Sequence, residues 1–169
     1  MSCDLLPTES PGPHYQGDVF DIIDNGWDLM IAHPPCTYLS NSGVSWLNRQ
    51  EGRWGKMNDG ANFFKKLWMA NIPKIAVENP IMHKYAKNII GQNQTQVIQP
   101  WMFGHLEQKA TCLWLKNLPQ LVPTNNVKEE MMKLPYKERA KVHWMGSGKG
   151  KERSVFFTGI AKAMADQWG

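Results

Sequence analysis

Short apolar runs bounded by turn residues punctuate the chain, and two of them end on residues that carry chemistry. Residues 27–33, Trp-Asp-Leu-Met-Ile-Ala-His, lead into Pro34-Pro35-Cys36, and residues 73–78, Pro-Lys-Ile-Ala-Val-Glu, lead into Asn79-Pro80. Brief apolar runs of this kind are expected of buried parallel strands. Between them, Ala61, Phe64, Leu67 and Trp68 recur at helical spacing, which predicts a helix over 59–70 with Asn58 or Asp59 as its cap. The three segments make a strand, helix, strand unit with a right-handed crossover. A second helix is expected over 82–90, ended by Gly91, and further strands over 96–99 and 110–115. Residues 129–134 read as a short helix stopped by Pro135. Residues 159–168 read as a helix with Ile160, Ala163, Met164 and Trp168 on one face. Residues 3–6 look like the tail of a strand, followed by a turn-rich stretch over 7–17 with three prolines and two glycines. One open α/β domain spanning 1–169 is the expected architecture.

Ligands of open parallel sheets sit at the carboxyl ends of the strands. Cys36 and Glu78 both fall there, so a nucleophilic thiol and a carboxylate are expected to meet over one small substrate.

Composition narrows the class. A chain of 169 residues with 42% hydrophobic residues fills one core. No apolar run nears the roughly 20 residues that span a bilayer, and the opening residues lack a basic and apolar leader, so no membrane partner and a cytoplasmic location are expected. Three cysteines without metal-type spacing argue against a disulfide framework and a zinc site. Net charge is +4, yet residues 128–153 hold eight basic side chains against four acidic ones and the remainder is balanced. With Trp144 and a glycine-rich turn over 146–150 read as a mobile loop, this stretch has the composition of a phosphate-backbone contact, and equally that of a solvated loop. Lys141, Lys149 and Arg153 are its candidate nucleic-acid ligands.

Taken in order, these residues resemble the DNA cytosine carbon-5 methyltransferases. Gly17-Asp18-Val19, Pro34-Pro35-Cys36 followed by Ser40 and Ser42, Glu78-Asn79-Pro80, the segment from Phe103-Gly104 to Leu115 and the last helix occur in the family's order. A His-Pro-Pro-Cys-Thr loop is similar to that of short, phage-type proteins of this kind, products of a bacterial host cell. The resemblance implies an incomplete Rossmann-like methyltransferase sheet with flanking helices. It assigns S-adenosylmethionine as cofactor, with Asp4 on the ribose, Asp18 on the adenine and Pro34 beside it. It implies Cys36 as nucleophile at cytosine carbon 6, Glu78 as the acid facing ring nitrogen N3, and Lys109 standing where the family has an arginine. Asn79 and Ser40 would steady an extruded nucleotide of DNA.

The family's opening strand, glycine loop and first helix have no counterpart upstream of Asp4, and residues 118–153 stand as a short basic insertion where a target-recognition domain is usual. The missing strand implies an open sheet edge next to Asp4, available to a homodimer partner or another chain. Two alternatives remain open: an inactive methyltransferase-fold binding module of an anti-restriction type, and an enzyme modifying a free pyrimidine nucleotide through the same thiol.

Overall fold

In a computed structural model, residues 1–145, 149, 152 and 155–169 are described. Among the described residues six strands form: β1 (Ser2–Asp4), β2 (His14–Gln16), β3 (Leu29–Ala32), β4 (Lys74–Pro80), β5 (Gln96–Ile98) and β6 (Thr111–Lys116). The principal helices are α1 (Arg53–Trp68), α2 (Lys84–Ile90), α3 (Lys128–Lys133) and a closing helix, Thr158–Trp168. One-turn helices cover Tyr136–Arg139 and Lys141–Trp144. The fold is mixed α/β, with the strands divided between two sheets.

The larger sheet has the order β3-β4-β6-β5. β3 and β4 run parallel with Ala32 opposite Val77, whereas β6 is antiparallel to both β4 and β5. β1 and β2 pair in parallel as a separate two-stranded sheet. The strand-to-strand link through α1 is therefore present, but the sheet is mixed rather than parallel throughout.

Alternation along the strands sorts the core into two layers. Ile75 and Val77 of β4, with Cys112 and Trp114 of β6, face α1 and α2, where Met57, Ala61, Phe64, Ala86 and Ile90 are buried. Ala76, Leu113 and Leu115 point the other way and pack on Ile160, Ala163, Met164 and Trp168 of the closing helix. The face expected for that helix is the one it buries.

Boundaries differ from expectation in three places, each for a local reason. α1 starts at Arg53, so Asn58 and Asp59 lie inside it. Its cap is Gly52 at φ 69°, a left-handed conformation that glycine adopts without strain. α2 starts at Lys84 because His83 is its cap: the Ala86 N–H donates to His83 Nδ1 at 3.2 Å. β2 lies inside the turn-rich stretch over 7–17, recruited by pairing with β1 rather than by any apolar pattern of its own. The expected mobile loop over 146–150 falls largely outside the described residues.

The closing helix makes one close backbone approach. Gly159 N–H donates to His105 Nε2 at 2.9 Å, and a Cβ on Gly159 would overlap the Phe103 carbonyl oxygen. Gly159→Ala is expected to destabilise the protein by about 1–3 kcal/mol, the usual range for overpacking. Urea denaturation of the two proteins checks this; an unchanged midpoint would refute it.

A candidate active site at the ends of β3 and β4

The register of β3 on β4, carried one residue past Ala32 and Val77, sets His33 level with Glu78 and Pro34 level with Asn79. Two side-chain bonds follow that register. His33 Nδ1 lies 3.1 Å from Glu78 Oε2, and Asn79 Nδ2 donates to the Pro34 carbonyl at 3.0 Å. β4 continues to Pro80, so Glu78 and Asn79 are ladder residues, opposite Leu113 and Cys112 of β6.

Beyond Pro34 the loop is fastened at nearly every residue. The Cys36 carbonyl accepts from the N–H groups of Leu39 and Ser40, both at 3.0 Å, closing a tight turn. Arg53 donates to the Thr37 carbonyl at 3.3 Å and lies 5.1 Å over the Tyr38 ring. His83 N–H donates to the Leu39 carbonyl, and Asn41 N–H donates to the Ile81 carbonyl. Because His83 Nδ1 accepts from Ala86, its Nε2 carries the proton and donates to the Tyr38 carbonyl at 3.0 Å. Ser40 forms an isolated bridge with Met82 and shares a 3.0 Å hydroxyl bond with Ser42. The turn holding the Cys36 thiol is thus anchored to β4 and to the caps of α1 and α2. Such support keeps a nucleophile in place.

Glu78 is 16% exposed at its side chain and His33 is 44% exposed. One carboxylate oxygen meets the imidazole, and the other carries no bond among the described residues. Phe156 packs edge-on against His33 at 4.7 Å. His33 stands at the rim as the partner of Glu78. Asn79 is 1% exposed and commits its amide to Pro34, so it holds the loop from beneath. Its Oδ1 has no partner among the described residues.

Beside this turn a cavity of about 600 Å³ opens between β1 and β3. Asp4, Asp18 and Pro34, the three expected cofactor ligands, all line it, together with His33 and Pro35 at the strand ends. Asp4 accepts from the Leu6 N–H at 2.9 Å and Asp18 from the Phe20 N–H at 3.0 Å. Each keeps a second oxygen without a bond among the described residues, suited to hydroxyl or amine donors. Cys3, on the same wall, has its thiol pushed up by burial and then by the charges of Asp4, Asp18 and Asp21. The mouth is therefore electronegative and ill-suited to a phosphate.

Antiparallel pairing brings the start of β6 beside the end of β4, with Thr111 opposite Pro80. Lys109 sits just before that point, its Nζ 5.7 Å over the Phe157 ring and its N–H donating to Gln99 Oε1. Lys141 reaches Glu107 at 3.5 Å, an exposed pair of small energetic weight. Lys149 is exposed, and Arg153 lies outside the described residues. The basic region interleaves cations with exposed rings: Lys137 over Trp144 at 5.5 Å, Arg139 over Tyr136 at 5.6 Å.

The three cysteines form no disulfide, and they differ in setting. Cys112 is buried, and burial pushes its thiol up to about 11. An unfolded chain loses that proton near pH 9 while the folded one keeps it. The associated stability is therefore full below pH 9 and lost as pH rises to about 11, by at most about 2–3 kcal/mol. Cys112→Ala is expected to flatten that alkaline limb, measured as the difference in melting temperature against pH; parallel curves for both proteins would refute it.

Sequence reasoning did not find the roles of His33, His83 and Arg53. The first was signalled only by its position before Pro34-Pro35, and the other two are apparent only once the loop is folded against α1 and α2. No protein-family model matches this chain, and no curated protein matches it.

Proposed function

We propose that this chain acts on cytosine in nucleic acid as a carbon-5 methyltransferase-like protein, with DNA as the polymer. The observation that carries the reading is a juxtaposition. The loop bearing Cys36 is fastened to β4 at the residue next to Glu78, and a cavity lined by Asp4, Asp18 and Pro34 opens beside it. The order β3-β4-β6-β5, with β1-β2 as a detached parallel pair, supports an incomplete Rossmann-like sheet.

Cytosine carbon 5 is a weak nucleophile until a thiolate adds at carbon 6. In this reading the Cys36 sulfur forms the bond to carbon 6 while Glu78 delivers a proton to N3, leaving an enamine with its electron density on carbon 5. Glu78 also accepts from the exocyclic amine. His33 holds the Glu78 carboxyl through Oε2, leaving the other oxygen for the base. Lys109 would offer a cation where the family's arginine supports the base carbonyl, and Lys141 with the ring-stacked cations would meet the phosphates, where charge supplies affinity without sequence readout. The donor set of the cavity fits S-adenosylmethionine: Asp4 for ribose hydroxyls, Asp18 for the adenine amine. When bound, it would supply an electrophilic methyl group to carbon 5.

The thiol addition can be read without the cofactor. If the enamine takes a solvent deuteron at carbon 5, and the original carbon-5 hydrogen then leaves as a proton to solvent as the thiolate is expelled from carbon 6 and the ring double bond re-forms, the hydrogen is exchanged. Incubation of the protein with a single-stranded cytosine oligonucleotide in deuterium oxide should wash out the carbon-5 proton signal. No exchange above the protein-free rate would reject the catalytic reading. It would favour a binding module instead.

A further inference from the structure

Two aromatic side chains stand out of the surface beside the Cys36 loop. Trp54, the second residue of α1, is 39% exposed, and Tyr85, the second residue of α2, is 38% exposed. Their rings meet edge-on with centroids 5.0 Å apart. The indole is held in place: its Nε1 donates to Asn48 Oδ1 at 3.0 Å, which satisfies the one polar group of that side chain and leaves only apolar ring surface to be covered. Tyr85 in turn lies 5.9 Å from the His83 ring, whose two nitrogens are fixed by Tyr38 and Ala86.

Cations surround these rings. Lys84 Nζ lies 5.2 Å over Tyr85, and Lys56 Nζ lies 5.9 Å over Tyr38, where Arg53 also stacks. The segments that carry the rings, 36–58 and 81–90, hold five basic side chains, Arg49, Arg53, Lys56, Lys84 and Lys87, against one acidic, Glu51. Arg53 spends its guanidinium internally, on Gln50 Oε1 and the Thr37 carbonyl. Lys56 and Lys84 are exposed. The patch is tied to the nucleophile's loop, because Arg53 grips the residue after Cys36 and is itself followed by Trp54 in the chain.

From this we infer that Trp54 and Tyr85 form a stacking platform for unpaired bases of a single-stranded nucleic acid, with Lys56 and Lys84 on its phosphates. A duplex closes its base faces and offers only phosphates and groove edges. Exposed ring faces among cations match a strand whose bases are unstacked, the mode used by proteins that hold single strands. The charge balance selects a polyanion, and the flat rings select one that carries flat partners. An acidic peptide would meet the first demand and not the second. The inference deepens the proposed function and rests on it for the placing of a cytosine at Cys36. Bases flanking that cytosine would stack on the platform, so the target would arrive already unpaired and no duplex would have to be opened. Stacking accepts any base, so this grip carries no sequence readout.

The test uses a fluorescein-labelled oligothymidylate of about twelve nucleotides, within the span of known single-strand sites. It contains no cytosine, so its binding is independent of the Cys36 chemistry. Fluorescence anisotropy should show Trp54→Ala and Tyr85→Ala each weakening affinity about ten-fold, Trp54→Phe weakening it by no more than about three-fold, and a thymidylate–adenylate duplex of equal length binding at least about ten-fold more weakly than the single strand. Trp54→Phe keeps a ring and loses the bond to Asn48, so it separates stacking from the local hydrogen bond. Unchanged affinity in both alanine variants, equal losses in Trp54→Phe and Trp54→Ala, or a duplex bound as tightly as the single strand would overturn the platform. So would self-association of the protein that Trp54→Ala abolishes while oligothymidylate affinity stays the same, because the rings would then belong to a contact between copies. Carbon-5 hydrogen exchange at saturating cytosine oligonucleotide does not require the platform. Ring-dependent oligothymidylate binding without exchange would reject the chemistry alone, and exchange without ring-dependent binding would reject the platform alone.

Discussion

Cys36→Ala is expected to reduce carbon-5 hydrogen exchange on a cytosine oligonucleotide to the protein-free background, and Glu78→Gln to reduce it by about 10²–10⁴-fold, the usual contribution of a positioned acid. The two losses differ in kind. Without Cys36 there is no sulfur to add at carbon 6, so no enamine forms. With glutamine at 78 the amide still bonds to the base edge and to His33, but it delivers no proton to N3. Oligonucleotide affinity should therefore change little in either variant, and the loss should fall on the rate. The anchoring of the 34–41 loop makes this a clean comparison. Its bonds run through backbone carbonyls and N–H groups and through Asn79, His83 and Arg53, none of which either substitution touches. Proton NMR of the carbon-5 position, with fluorescence anisotropy for binding, separates rate from affinity. Exchange that persists in Cys36→Ala would end the nucleophile assignment. Exchange unchanged in Glu78→Gln would remove Glu78 from the chemistry and leave its bond to His33 as purely structural.

Trp114→Ala should produce the largest loss of stability in the molecule. The side chain is fully buried in the middle strand β6, meets the Phe64 ring of α1 at 4.9 Å, and donates from Nε1 to the Gln92 carbonyl at 3.3 Å. Truncating a buried aromatic of this kind costs about 3–5 kcal/mol, a large share of the 5–15 kcal/mol that usually holds a domain together. A companion variant, Trp114→Phe, keeps most of the burial and loses the hydrogen bond and part of the ring. It should cost about 1–2 kcal/mol. Urea denaturation gives both values. Equal losses in the two variants would mean that the bond to Gln92, not packing on Phe64, is the dominant contribution.

The apolar patterns made most elements legible: β3, β4, β6, α1 and the closing helix all lie where short runs or helical spacing placed them, and the buried face of the closing helix is the expected one. The misses share a physical cause. β2 carries no apolar run, only His-Tyr-Gln, and is a strand because β1 supplies its ladder partners. The true start of α1 rests on the left-handed backbone at Gly52, which no periodicity reveals. Among the candidate site residues, Asp4, Asp18 and Pro34 proved to border one cavity. Asn79, opposite Cys112 in the ladder, is buried beneath the loop and bonded to Pro34.

What the sequence by itself determined is the content of most strands and helices and the placing of Cys36 in the loop after β3 and of Glu78 in the last rungs of β4's ladder, because hydrophobic period and turn residues act over a few positions along the chain. Only the tertiary structure decided which strands are neighbours, that His33 meets Glu78, that the loop of Cys36 is fastened by His83 and Arg53, and that β1 and β3 border one cavity. Those are relations between residues 12 to 45 positions apart, set by sheet register and the packing of α1 and α2, and no local pattern encodes them.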